Sequence, residues 1–172
     1  FQLCSLALFS QPQTTFCLTD SLSDEQETFL RRWRTENSIK QVHASSKLYI
    51  PIKFHIVGRD DGTGYYPLED LMRNICELNS WFDKANMSFY VIDSVSFINS
   101  STLYEHDNFI APLKVIEANY VKDRINVFIV NDPVGACGYF NPSSGAIVVN
   151  NICLEPGNMT IAHELGHFFS LP

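Results

Sequence analysis

The run Arg124-Ile125-Asn126-Val127-Phe128-Ile129-Val130 decides the fold. Only Asn126 interrupts its apolar residues, so the alternation of a half-buried strand is absent. A β-branched run without a polar face must be covered on both sides, as a parallel strand between helices is. Upstream, Leu48 to Val57 (LYIPIKFHIV) reads as a strand that Pro51 confines to an edge or to its early part. Pro67 opens the longest helix, to about Lys84, where Leu68, Leu71, Met72, Ile75, Leu78 and Phe82 recur on one stripe that should pack on a sheet. Ser88 to Ile98 reads as another strand, with Phe89, Val91, Val95 and Phe97 on one parity. Asn99 to Asn108 reads as a loop and Ile110 to Tyr120 as a short helix. Downstream, Gly135 to Pro142 and Gly145 to Asn150 form two strands joined at Asn141–Ser144, and Asn158 caps a last helix from Met159 to about Ser170. This order of elements predicts an α/β fold with a mixed sheet.

The 172 residues suffice for one domain. Their balance of 12 basic and 19 acidic residues, net −7, argues against nucleic acid as a partner, because phosphate binding needs a basic face. A hydrophobic content of 45% with 13% aromatics is core-forming and excludes intrinsic disorder. No apolar run reaches the roughly 18 residues of a membrane span, so no transmembrane segment is expected.

Phe1 to Ser10 (FQLCSLALFS) has the length and apolarity of a signal-peptide core, and residues 1–10 are read as a signal remnant of a secreted protein. Residues 11–47 are read as a pro-segment and linker with one helix, started by Ser23 and Gln26 as a capping box. Without Cys4, the remaining Cys17, Cys76, Cys137 and Cys153 allow three full pairings. Cys137 and Cys153 are the best local candidates for a disulfide because they flank the hairpin; Cys76, in the helical pattern, is expected to be a buried free thiol.

The last helix contains His163-Glu164-Leu165-Gly166-His167. Residues four apart share a helix face, so two imidazoles can ligate one metal ion. Glu164, one residue on from His163, can reach a water on that ion without becoming a ligand, which suits a general base. Zinc is the expected ion, and catalytic zinc takes three protein ligands. In the spacing H-E-x-x-H-x-x-G-x-x-H the third ligand falls at position 173, just past Pro172; in a gluzincin it would be a Glu further on. His55 reads as a core residue, His43 and His106 as residues of polar loops, and Asp60-Asp61-Gly62 as a turn.

HELGHFFSLP with the preceding NMTIA resembles the catalytic helix of the pappalysin (cytophagalysin) family of metzincin zinc metallopeptidases. IPIKFHIV, ICELNSWFDKANMSFYVI, INVFIVND, CGYF and GAIVVNN resemble the family's successive strands and long first helix, so the likeness covers 48–172. The resemblance implies a metzincin-like upper subdomain: a twisted mixed five-stranded sheet with an antiparallel edge strand, a long backing helix and an active-site helix. It implies a secreted endopeptidase that hydrolyses peptide bonds with a zinc-activated water. His163, His167 and a third His beyond Pro172 would be the ligands, with Glu164 as general base. It further implies that Gly138, Tyr139 and Phe140, on the edge strand, pair with an extended protein or peptide substrate, and that Cys17 serves as a pro-segment cysteine switch. Ser170 departs from the family pattern, which has Gly where the chain turns left-handed after the helix. A non-catalytic extracellular binding module with a degenerate protease fold, or a gluzincin-type peptidase, are the alternatives.

Overall fold

The structure, a computed structural model, describes residues 46–171. The signal remnant at 1–10, the helix expected from Ser23, Cys17 and His43 lie outside the described residues.

Strand β1 (Leu48–Gly58) leads through a turn in which the Asp61 carboxylate accepts from the Thr63 N–H and Oγ–H. Helix α1 (Leu68–Phe82) follows, with Pro67 at its N-cap. A short 3-10 turn, Asp83–Ala85, ends at Asn86 in the left-handed region and releases the chain into β2 (Met87–Val91). Then come β3 (Ser96–Asn99), the one-turn helix α2 (Ser101–Tyr104), β4 (Glu105–His106), α3 (Ile110–Asn119), β5 (Ile125–Val130) and β6 (Asp132–Pro133). β7 (Gly138–Asn141), β8 (Ala146–Asn150) and helix α4 (Thr160–Phe168) complete the described chain.

The main sheet runs β2-β1-β5-β8-β7, with β3 also paired to β1. Every pairing in it is parallel except β7 with β8, which is antiparallel. The sheet is therefore mixed, as expected, with its antiparallel strand at one end of the order, but it has six strands rather than the expected five, because β2 and β3 are separate segments that both pair with β1. All six residues of β5 are buried, which is why that run carries no polar face. One apolar layer joins Ile52, Phe54, Ile56, Val127 and Ile147 to Leu71, Ile75 and Leu78 of α1 and Ile161 and Leu165 of α4. The opposite layer joins Val57, Phe128, Val130, Tyr139 and Val148 to Leu103 of α2 and Ile116 of α3. Helices thus cover both faces, as a parallel sheet requires. Removing such a side chain costs about 2–5 kcal/mol for a Leu cut to Ala.

Several details differ from the sequence reading. The strand expected over Ser88–Ile98 is two segments: β2 pairs with Leu48 to Ile52 and β3 with His55 to Gly58, end to end along the same edge of β1. The chain leaves the ladder between them at Asp93, whose φ is 61°. β1 is an interior strand, and Pro51 sits in its early part, before pairing with β5 begins at Ile52. Leu68, in the first turn of α1, and Met72, on its flank, are exposed because the sheet reaches only the row Leu71, Ile75 and Leu78. Cys76 is likewise exposed, not buried. Residues 99–108 are not a loop: they hold α2 and β4, and His106 is buried.

Candidate metal centre

Helix α4 is held at both ends. The Asn158 side chain accepts from the Thr160 N–H at 3.0 Å, satisfying one open donor of the first turn. Ile161 and Leu165 are buried on the sheet and fix the helix rotation. At the C-terminus the Ser170 N–H donates to the His167 carbonyl (2.9 Å) and the Leu171 N–H to the Gly166 carbonyl (2.8 Å). That is a Schellman motif with Ser170 at the left-handed position, φ 62°. Ser170, where the family pattern has Gly, therefore adopts the left-handed turn despite its Cβ.

This rotation places His163 and His167, both partly buried, with their Nε2 atoms 3.1 Å apart. Two nitrogens each about 2.0–2.1 Å from one zinc in tetrahedral array stand about 3.3 Å apart. The pair therefore fits a single zinc ion. The Nδ1 of His167 lies 3.3 Å from the Leu171 carbonyl. A carbonyl only accepts, so this bond assigns the proton to Nδ1 and leaves a lone pair on Nε2, facing His163. Burial, and secondarily the neighbouring His167, lower the pKa of His163 and favour the neutral imidazole that ligation needs. Among the described residues no group of three His, Cys, Asp or Glu side chains converges.

Glu164 is completely buried on the neighbouring face of the helix, against β7. A Cβ built on Gly138 would stand 3.1 Å from Glu164 Oε1 and 3.2 Å from its Cγ. Gly138, expected on the substrate edge, is thus directly under the expected base. Among the described residues β7 ends the sheet order, and its other backbone edge faces away from β8. Tyr139 and Phe140 do not present free side chains there. Tyr139 is buried on the far face, its hydroxyl 3.2 Å from His106 Nε2, and burial raises its pKa. Phe140 is partly buried and packs edge-on against Phe168 at 5.8 Å between centroids.

Cys137 and Cys153 are joined by a disulfide with their Cα atoms 5.5 Å apart, tying the entry of β7 to the segment before α4. His55 is buried, stacked on Phe128 at 4.2 Å, with Nε2 3.0 Å from Asn126 Oδ1. The Asp61 carboxylate is engaged inside its own turn. An apolar groove of about 520 Å³, lined by Trp81, Phe82, Ala85, Met159 and Ala162, opens beside His163. Spacing alone did not reveal the Tyr139–His106 bond, the Gly138–Glu164 contact or the Leu171 carbonyl on His167. Each depends on a tertiary approach rather than on a motif. No family model and no curated protein matches this chain.

Proposed function

We propose that this chain carries the active-site helix of a secreted zinc-dependent endopeptidase of metzincin type. The observation that carries the reading is the pair of Nε2 atoms at 3.1 Å, on the same helix turn as a buried glutamate. His163 and His167 would hold the ion together with a third protein ligand. Zinc, when bound, supplies a Lewis acid that polarises the scissile carbonyl and brings the pKa of a water down toward about 7. Glu164 takes a proton from the attacking water on its carboxylate and passes it to the leaving amine. The Leu171 carbonyl keeps the His167 proton on Nδ1. Gly138, Tyr139 and Phe140 of β7, which carries the antiparallel pairing of the sheet, are the main-chain groups assigned to an extended peptide, which pairs as an added strand. The disulfide supports an oxidising, extracellular setting.

The test is peptide cleavage by the full-length protein. Wild type should cleave, chelation should stop it, and zinc should restore it. Glu164→Ala should lose cleavage while still binding zinc. Retained cleavage by Glu164→Ala would remove Glu164 from the mechanism.

A further inference from the structure

We propose that Gly138 is a positioning residue whose missing side chain sets where the Glu164 carboxylate rests, which builds on the endopeptidase reading above. The backbone of Gly138 is not left-handed, so no conformational demand explains a glycine there. The reason is space. A methyl at this position would meet three atoms at once: the Val148 carbonyl at 3.0 Å, Glu164 Oε1 at 3.1 Å and Glu164 Cγ at 3.2 Å. All three are closer than ordinary contact, and something must give. The Val148 carbonyl belongs to β8, whose residues are all buried and which is paired to strands on both sides. The β7 backbone is tethered just ahead by the Cys137–Cys153 disulfide and by the Asn150 N–H, which donates to the Cys137 carbonyl at 2.8 Å. The Glu164 side chain, with its rotatable bonds, is the softest of the neighbours. A side chain at position 138 therefore moves the carboxylate, and the glycine holds its place by leaving that volume empty.

Two readouts test this, one independent of activity. In thermal unfolding, Gly138→Ala should lower Tm by about 5 °C in the Glu164 protein. In the Glu164→Ala background the same change should cost less than half as much, because two of the three close contacts are gone. Equal losses in both backgrounds, or none, would overturn the proposal. Should Gly138→Ala alone fail to fold, recovery of folding in the double variant supports the coupling and failure of both contradicts it. In the zinc-loaded full-length protein, Gly138→Ala should lower kcat about 10–100-fold with KM within about twofold and zinc content unchanged. A raised KM at unchanged kcat would assign Gly138 to substrate contact instead. The unfolding cycle reads the contact even where no peptide is cleaved, so failure of the endopeptidase reading and failure of this one give different results.

Discussion

Replacing Ser170 by Gly should stabilise the protein, and the size of the gain follows from one backbone angle. Ser170 stands at φ 62°, where an L-residue other than Gly, Asn or Asp is disfavoured by about 1–2 kcal/mol. Glycine removes that cost but adds about 0.5–1 kcal/mol of backbone entropy to the unfolded chain. The net expectation is a gain of about 0.5–1 kcal/mol, or about 2–4 °C in Tm for a domain of this size. Ser170→Val should do the opposite by at least as much, because a β-branched side chain fits the left-handed region worst. Equilibrium urea unfolding with a constant m-value measures both. Hydrogen exchange at the Leu171 amide, which donates to Gly166, checks that the cap is the element affected. A loss of stability in Ser170→Gly, or no loss in Ser170→Val, would refute the assignment of Ser170 as the left-handed cap. Slower exchange at Leu171 in Ser170→Gly is expected too, because this turn carries the carbonyl that holds His167.

Cys153→Ser, which opens a disulfide spanning 16 residues of sequence, should cost about 3 kcal/mol in unfolding experiments; a change below about 1 kcal/mol would show the bond to be dispensable. Burial lowers the pKa of His55 to about 4, against 6.5 for the free side chain. The unfolded chain then binds more protons than the folded one between these values, so stability is complete above about pH 6.5 and falls toward pH 4, by up to about 3 kcal/mol from this residue. His106 and His163, whose pKa values burial also lowers, act in the same direction. Unfolding at a series of pH values should show this slope, and His55→Leu should flatten it; an unchanged slope would mean His55 is not its source.

The buried strand was legible because coverage on both faces leaves a mark in the residues themselves: Ile125 to Val130 admit only Asn126, whose amide is used by His55 and the Val121 backbone. The hairpin and the disulfide across it were legible from Cys137 and Cys153 flanking it. The break between β2 and β3 was not, because Phe89, Val91, Val95 and Phe97 keep one parity across it, and alternation says nothing about an excursion at Asp93. Periodicity likewise told which face of α1 is apolar, not where the sheet beneath it stops, so Leu68 and Met72 were misplaced. His106 was missed because its burial depends on a two-residue pairing, Glu105–His106 with Asp132–Pro133, too short to leave a pattern. At the candidate site, the i, i+4 spacing brought His163 and His167 within reach of one ion's coordination geometry. The glycine under Glu164 and the carbonyl on His167 come from other parts of the chain meeting α4, which spacing does not encode.

Zinc content per chain, measured by native mass spectrometry on the full-length protein, tests the central claim most directly. The account predicts one zinc in wild type and in Glu164→Ala, and loss of that zinc in His163→Ala and in His167→Ala with the fold intact by circular dichroism. Zinc retained in full by both histidine variants would contradict it.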